Sequence, residues 1–201
     1  MAIVLFIFSV VTVFVTRSSA LDESVFDFLA GTVSSGRTSA MKFISFFGNH
    51  AFLIPANLLL LAYYLYRKNK WFSIRVGALA LSSLGLMSLL KNLFRRDRPT
   101  APLVDGVTNF SFPSGHAFMS VAFYGLLIII ALEEIKDRRL KRLIILFLVF
   151  FILLIGLSRV YLRLHYTTDV IAGFAAGLTW FFLCFYMIAR LQAAFTKRRA
   201  A

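Results

Sequence analysis

The stretch VIAGFAAGLTWFFLCFYMIA, residues 170–189, contains no charged side chain. A helix of about 20 apolar residues crosses the ~30 Å hydrocarbon core of a bilayer. The rest of the chain has a similar character, since 60% of its 201 residues are hydrophobic and its mean hydropathy is +0.81. These values lie far above those of an ordinary soluble domain. The chain is therefore predicted to reside in a membrane.

Five shorter uncharged runs precede this stretch, at residues 1–16, 51–66, 76–90, 117–132 and 143–158. They reach spanning length only if neighbouring residues, some of them charged, lie at the head-group level or inside a bundle. Strand-like alternation is absent and the connections are short, which excludes a transmembrane barrel. The pattern predicts an all-α polytopic protein, with six transmembrane helices in one bundle. No repeat or long linker divides the chain, so residues 1–201 are expected to form a single membrane-embedded domain.

The N-terminal region leaves two alternatives open. Residues 1–20 form either a retained first helix or a signal peptide cleaved near Ser18-Ser19-Ala20, and the absence of a preceding Lys or Arg favours the retained helix. Residues 17–42 then form the first outer loop. Apolar residues at helical spacing around Val25 predict a short helix there, which either lies on the outer leaflet or packs on the bundle.

The net charge of +13 would indicate nucleic acid as the partner of a soluble protein, but in a membrane protein the basic residues must first be sorted by side. With a cytoplasmic N-terminus, most of them fall at the inner ends of the helices, as the positive-inside rule requires. Nucleic acid is therefore not an expected partner. A second group falls at the outer ends instead and needs another explanation: Lys91, Arg95, Arg96, Arg98, Arg159 and Arg163.

Residues 91–99, KNLFRRDRP, lie at the outer end of the third run. Lys91 and Arg98 are seven residues apart, so they are predicted to share a helical face, and Pro99 turns the chain after them. Two cations would then converge above the bundle. Taken alone, they would be read as snorkelling anchors at the membrane surface.

Residues 113–116, PSGH, come directly before the fourth helix. Ser114 is predicted to cap this helix, and Gly115 lets the backbone approach a ligand closely. The free N–H groups and the positive end of the helix dipole favour an anion there. A capping turn alone would explain Ser114 but not His116.

Ser158-Arg159, His165 and Asp169 form the third group. His165 and Asp169 are predicted to stack on one face of the sixth helix, where the carboxylate would hold one imidazole nitrogen and raise the basicity of the other. A helix-stabilising Asp and an interfacial His are the alternative. Together the three groups supply cations, hydrogen-bond donors and two histidines, which are the parts that phosphoryl transfer needs.

These residues resemble the three signature motifs of the type 2 phosphatidic acid phosphatase superfamily: Lys, six residues, Arg-Pro; Pro-Ser-Gly-His; and Ser-Arg, five residues, His, three residues, Asp. All eleven specified positions match, within residues 91–169. The resemblance is to the bacterial integral-membrane lipid phosphatase branch, and it implies an active site at the extracytoplasmic helix ends.

The resemblance also implies a role for each residue. His165 would attack phosphorus and form a phosphohistidine, assisted by Asp169. His116 would protonate the leaving oxygen and then activate water. The implied phosphate-binding residues are Lys91, Arg98, Ser114, Gly115 and Arg159. The family needs no metal, and no other cofactor is expected. Outside the motifs, Arg95, Arg96 and Arg163 either attract an anionic head group or are solvated or lipid-contacting charges, and the second interpretation is favoured. His50 either borders the site or is a simple loop histidine, and the loop histidine is favoured.

The implied function is hydrolysis of a lipid phosphate at the outer face of the cytoplasmic (inner) membrane, with membrane lipids as partners and no obligatory protein partner. Undecaprenyl pyrophosphate is favoured, and phosphatidylglycerol phosphate, phosphatidic acid and lipid A phosphate are the other candidates. A phosphotransferase using a polyprenyl pyrophosphate donor would have the same motifs. A vanadate-dependent haloperoxidase shares them but is soluble. A non-catalytic transporter or binder of anionic lipids would need charges near helix centres, whereas here they lie at helix ends.

Overall fold

The computed structural model describes residues 1–17, 19–104 and 108–200, and the regular structure in these residues is helical. A single π-helical segment, Val11–Val15, continues the first helix. The eight α-helices, numbered in chain order, are α1 Ala2–Val10, α2 Ala20–Ala30, α3 Ser35–Phe46, α4 His50–Tyr66, α5 Lys70–Phe94, α6 Gly115–Glu134, α7 Arg138–Tyr161 and α8 Thr167–Ala200.

Five stretches of the described chain are long and apolar enough to cross a membrane: Ser35–Tyr66, Lys70–Phe94, Gly115–Glu134, Arg138–Tyr161 and Thr167–Lys197. The N-terminal pair, Ala2–Val15 and Ala20–Ala30, is bent by 95° and provides a sixth span if it is counted as one. The prediction of an all-α, polytopic membrane protein is confirmed. Ser18, at the expected cleavage point, lies outside the described residues.

The second span begins earlier than the apolar run indicated. The expected outer loop extended to about Lys42, but α3 already begins at Ser35, because Ser34 caps it by accepting a hydrogen bond from Arg37 N at 3.4 Å. Only residues 47–49 separate α3 from α4, and Asn49 caps α4 through Ala51 N at 2.9 Å. The segment expected to be the first outer loop is therefore shorter than predicted and contains α2.

Helix α2 packs on the bundle through one apolar face. Three of its side chains, Val25, Phe26 and Leu29, lie against the buried residues Ala117, Val160 and Val170 of α6, α7 and α8. Phe28 is on the opposite side and exposed. The N-terminal segment is thereby joined to the three helices that carry the second and third motifs.

Helices α6 and α8 approach each other closely at their N-terminal ends. A Cβ atom at Gly173 would lie 2.5 Å from the carbonyl oxygen of Ser114, so no side chain fits there. Small residues allow such backbone contact between membrane helices. The approach lets Ser114 N donate to the backbone oxygen of Asp169 at 2.9 Å, which brings the second and third motifs together.

One end of the bundle collects all three motifs. The C-terminal ends of α5 and α7 and the N-terminal ends of α6 and α8 lie there, as does the α3–α4 junction, where Gly48 packs on His116. The tight hairpins 67–69 and 135–137 lie at the opposite end. The fold therefore assembles the predicted site residues from helices that are far apart in sequence.

Candidate active site

Lys91 and Arg98 converge, but not along a shared helical face. Helix α5 ends at Phe94 because Arg95 adopts a left-handed conformation with φ of 46° and its N–H bonds back to Lys91 O at 3.0 Å. The predicted helical spacing is therefore wrong for Arg98, which lies in the following loop. Both cations nevertheless reach the same atom, the carbonyl oxygen of Phe110, to which Lys91 Nζ donates and Arg98 Nη2 donates at 3.4 Å.

The Arg98 guanidinium is held by backbone oxygens on two sides. Its Nε donates to Asn109 O at 2.7 Å, and its Nη1 donates to Leu164 O. Nη1 also lies 3.3 Å from His165 Nε2. Arg98 therefore connects the loop before α6 to His165, the predicted nucleophile.

Ser114, Gly115 and His116 form the start of α6. Ser114 is the N-cap, with its Oγ accepting from Ala117 N at 3.5 Å. The open side of Gly115 faces Lys91, whose Cε would lie 3.8 Å from a Cβ at that position. The Nε2 atom of His116 is buried and has no hydrogen-bond partner within the described chain. A group entering the site would find this nitrogen available.

His165 and Asp169 meet, although they do not stack on one helix. Helix α8 begins at Thr167, so His165 precedes it. Asp169 reaches back to cap the helix, accepting from Tyr166 N at 3.0 Å, and this turn brings its Oδ2 to 3.5 Å from His165 Nδ1. The ring thus has Nδ1 toward the carboxylate and Nε2 toward Arg98.

Arg159 lies in the last turn of α7, and only 5% of its surface is exposed. Its Nη1 donates to Ser45 Oγ of α3 at 2.7 Å, and its Nε has no partner within the described residues. The neighbouring Ser158 bonds to the backbone of its own helix, at Ile155 O. Arg159 is thus a buried cation with donor capacity to spare.

Burial lowers the pKa of His165 to about 3. The hydrogen bond and negative charge of Asp169 oppose this shift, and the positive charges of Arg98 and Arg159 add to it. Burial also lowers the pKa of Arg98, which Asp169 partly offsets. His165 is consequently neutral at physiological pH, and a neutral imidazole has the lone pair that a nucleophile requires.

Two polar residues at Asp169 were not predicted to take part. Ser111 Oγ donates to Asp169 Oδ2 and lies 3.3 Å from His165 Nδ1. Arg96 was expected to be solvated, and this was wrong, because its guanidinium pairs with Asp169 Oδ1 at 2.5 Å and with Asp22 Oδ2 at 2.9 Å. The spacing of residues in the sequence could not predict either contact, because Ser111 and Arg96 both lie in an irregular loop.

The remaining residues outside the motifs differ among themselves. Arg95 is exposed, as expected. Arg163 lies with its guanidinium carbon 5.9 Å from the Phe26 ring centroid, so it contacts α2. His50 is not in a loop but begins α4, where it is exposed and borders the cavity described next.

A cavity of about 990 Å³ extends from the predicted site residues between the helices of the bundle. Its polar end is lined by Lys91, Arg98, His116, Arg159 and His165. Its body continues between α4, α5 and α6 along apolar residues as far as Leu61, Val76 and Leu126. Several lining side chains also face the outside of the bundle, namely Ile54, Leu58, Leu81 and Leu84. The cavity therefore opens sideways, between α4 and α5.

Residues 71–193 match the PAP2 superfamily. The chain is also 31% identical over 145 residues to phosphatidylglycerophosphatase B of Bacillus subtilis (strain 168), an alignment that covers 71% of each protein. The chain belongs to the PAP2 superfamily. The resemblance seen in the three motifs is confirmed, and with it the prediction of a membrane phosphatase.

Two crystal structures share this PAP2 fold. One is the structure described as the first transmembrane PAP2 type phosphatidylglycerolphosphate phosphatase from Bacillus subtilis. It superposes with a TM-score of 0.85 at 23% identity, over 94% of both chains. The other is LpxE of Aquifex aeolicus, with a TM-score of 0.61 at 20% identity, over 81% of this chain and 93% of that one. At these identities, the two structures show that the fold is shared and nothing more.

Metal binding has no obvious location in the part of the PAP2 chain that the structure describes. No group of three or more His, Cys, Asp or Glu side chains is placed there to hold an ion. Metal-independent catalysis, which family resemblance implies, stays a prediction and is tested below.

Proposed function

We propose that this protein hydrolyses the phosphomonoester or diphosphate of a membrane lipid through a phosphohistidine formed at His165 Nε2. The observation that carries the proposal is one cavity that has cations and two histidines at one end and apolar walls, several of them exposed, along its body. A head group and its hydrocarbon tail need these two environments at the same time.

Phosphate binding comes first in the proposed mechanism. Lys91, Arg98 and Arg159 surround the polar end of the cavity, and they would bind the equatorial oxygens and disperse their charge. Helix α6 begins at Gly115, which lines the same cavity beside Lys91, and the free N–H groups of a helix N-terminus favour an anion.

Two chemical steps follow. His165 Nε2 attacks phosphorus, the bond from phosphorus to the leaving oxygen breaks, and protonated His116 gives that oxygen its proton. Asp169 accepts from Nδ1–H and stabilises the positive charge that develops on the imidazole. His116 then takes a proton from water, the hydroxide attacks the phosphohistidine, the P–N bond breaks, and inorganic phosphate and neutral His165 are released.

The length and direction of the cavity support a lipid over a soluble ester. From His50 to Leu61 the lining of α4 spans about 16 Å at 1.5 Å per residue. A chain of this length lying between α4 and α5 would remain in contact with the surrounding bilayer through the lateral opening. Relatives named for phosphatidylglycerol phosphate support the same class.

The orientation proposed places the active site at the outer face of the cytoplasmic membrane. The opposite end of the bundle carries basic residues in both hairpin regions, Arg67, Lys68, Lys70, Lys136, Arg138 and Arg139. Such residues remain on the cytoplasmic side during insertion, so the motif end would face outward.

The central experiment measures phosphate release from lipid phosphates by the detergent-solubilised protein in excess chelator. Wild type is expected to be fully active, and His165→Ala to lose at least about a thousandfold, as removal of a covalent nucleophile does. Unchanged activity of His165→Ala would contradict the phosphohistidine. Activity that chelator abolishes and a metal restores would contradict the metal-independent mechanism.

The roles of the two histidines are separated with p-nitrophenyl phosphate, whose leaving group departs without a proton. His116→Ala should then form the phosphoenzyme normally but hydrolyse it slowly, so that an acid-labile phosphoprotein accumulates. His165→Ala should form none. A phosphoprotein in His165→Ala would place the covalent bond elsewhere.

Substrate choice is tested with four lipids side by side: undecaprenyl pyrophosphate, phosphatidylglycerol phosphate, phosphatidic acid and lipid A phosphate. The preferred substrate is the one with the highest kcat/KM. Adding unphosphorylated lipid A to labelled polyprenyl pyrophosphate tests for transfer, because a phosphotransferase would place label in lipid A in preference to free phosphate.

A further inference from the structure

Arg96 is a bridging cation between two carboxylates from opposite parts of the chain. Its Nη1 contacts Asp169 Oδ1 at 2.5 Å and Thr168 Oγ1 at 2.8 Å, and its Nη2 contacts Asp22 Oδ2 at 2.9 Å. The guanidinium carbon lies 3.9 Å from the centroid of the Tyr166 ring. Only 16% of the Arg96 side chain is exposed, so its geometry is closely restricted.

Asp22, near the start of α2, is the second member of this bridge and is 1% exposed. Both of its oxygens are bonded: Oδ1 accepts from Thr168 N at 2.9 Å, and Oδ2 accepts from Thr168 Oγ1 at 2.8 Å and from Arg96. Burying a carboxylate is costly unless it is paired and hydrogen-bonded. Asp22 meets both conditions, although no motif contains it.

The bridge acts on the oxygen of Asp169 that does not face His165. Arg96 binds Oδ1, whereas Oδ2 accepts from Ser111 and Tyr166 N and faces His165 Nδ1. The separation of 3.5 Å between Oδ2 and Nδ1 is at the upper limit of a hydrogen bond. A small rotation of the carboxylate would therefore either strengthen or abolish the contact.

We propose that Asp22 and Arg96 are positioning residues, which fix the orientation of the Asp169 carboxylate and so the tautomer and angle of His165. This inference rests on the proposed function. The Asp169–His165 bond gains strength as the imidazole becomes positive during attack, so its loss slows formation of the phosphoenzyme. Phosphate binding is unaffected, because Lys91, Arg98 and Arg159 have no hydrogen bond to Asp22 or Arg96.

The test compares Asp22→Asn with Glu23→Gln, which removes the same charge from the next, exposed residue. Asp22→Asn is expected to lower kcat and the single-turnover rate of phosphoenzyme formation about 10- to 100-fold. Residues that hydrogen-bond to metal ligands have effects of this size when they are replaced. KM and competitive inhibition by inorganic phosphate should stay within about twofold of wild type. Glu23→Gln should match wild type in every measurement.

A double-mutant cycle tests whether Asp22 acts through Arg96. Arg96→Lys keeps the charge but cannot bind both carboxylates in the forked geometry, so it should be intermediate between wild type and Arg96→Gln. Combining Asp22→Asn with Arg96→Lys should cost much less than the product of the two single effects. Arg95→Gln, on the exposed neighbour, is the control for charge.

Three results would overturn the proposal. The first is a kcat of Asp22→Asn within twofold of that of Glu23→Gln. The second is a fall in activity that matches the fraction of unfolded protein measured by thermal unfolding, and the third is a double variant whose fall in kcat equals the product of the two single falls. Wild type and His165→Ala are assayed in the same series. An inactive wild type would refute the proposed function, whereas an active wild type with an indifferent Asp22→Asn would refute only the positioning role.

Discussion

At the scale of single residues, His165 has each ring nitrogen assigned by its neighbours, Nδ1 by Asp169 and Ser111 and Nε2 by Arg98. The motif spacing predicted the Asp169 contact, although it arises from a capping turn. It contained no sign of Ser111, because the loop before α6 reaches Asp169 only through tertiary contacts. The signature residues alone therefore do not determine all the hydrogen bonds around His165 and Asp169.

Replacing Ser111 by Ala removes the hydroxyl that bonds to Asp169 Oδ2. A hydrogen bond to a charged group contributes about 1.5–3 kcal/mol, so kcat is expected to fall roughly tenfold or more, with little change in KM. Ser120→Ala is the matched control, since Ser120 is equally buried and bonds only to the backbone of α6. Equal kcat values for the two variants would exclude a role for Ser111.

The lowered pKa of His165 predicts a pH-dependent stability. The pKa is about 3 in the folded protein and about 6.5 in an unfolded chain, so below pH 6.5 the unfolded state binds the extra proton. Stability should fall from pH 6.5 toward pH 4 and be unaffected by His165 above pH 6.5. Thermal unfolding in detergent compares wild type with His165→Gln, which cannot titrate.

The melting-temperature difference between these two proteins should be constant above pH 6.5 and should shift in favour of His165→Gln as the pH is lowered. A difference that does not change between pH 7 and pH 4 would show that His165 is protonated equally in the folded and unfolded states. Groups other than His165 cancel in the comparison.

At the scale of elements, the apolar runs located the helices but not their ends. Lys91 and Arg98 were expected to share a helical face, yet the left-handed Arg95 ends α5 at Phe94 and leaves Arg98 in the loop. Helix α3 was missed because its mixed polar sequence has no spanning run, although Ser34 caps it. Helix ends depend on caps and single backbone conformations, which periodicity does not record.

Gly77 offers a test of the tail-binding part of the cavity. It lines the cavity on α5, and a Cβ there would meet no atom within 4 Å. Gly77→Leu should fill the cavity and lower kcat/KM for long-chain lipid phosphates about tenfold or more, while hydrolysis of p-nitrophenyl phosphate stays unchanged. Gly85→Leu, on the same helix with equally open space but away from the cavity lining, is the control.

If the tail does not occupy this region, Gly77→Leu and Gly85→Leu will behave alike on every lipid. A fall in p-nitrophenyl phosphate hydrolysis in Gly77→Leu alone would instead indicate damage to the polar end. The first result would exclude the cavity body as the lipid site.

At the scale of the whole molecule, the apolar runs predicted the membrane bundle, and the three motifs predicted the residues that the fold brings to one end of it. The contribution of α2 was not predictable, because Asp22 resembles its solvated neighbours Glu23 and Asp27 in sequence. Only the packing of α2 on α7 and α8 distinguishes them. A helix can be predicted from the pattern of apolar residues along it, whereas a contact between distant segments leaves no such pattern in either segment.

The orientation is tested with single cysteines introduced after Cys184, the only native cysteine, is replaced by Ser. Thr100→Cys lies in the loop after α5, at the motif end, and Lys136→Cys lies in the hairpin at the other end. An impermeant maleimide should label Thr100→Cys in intact right-side-out spheroplasts, and Lys136→Cys only after permeabilisation. The reverse pattern would place the motif end in the cytoplasm.

The hydrogen bonds from Thr168 to Asp22 span 146 residues, and this has a consequence for biosynthesis. During translation the N-terminal segment emerges first. The hydrogen bonds of Asp22 can form only after Thr168 has been made, when most of the chain has been synthesised. A ribosome that has completed α6 has produced Lys91, Arg98 and His116 but neither His165 nor Asp169. If the proposed mechanism holds, the nascent chain therefore has no nucleophile until residues 165–169 have been made.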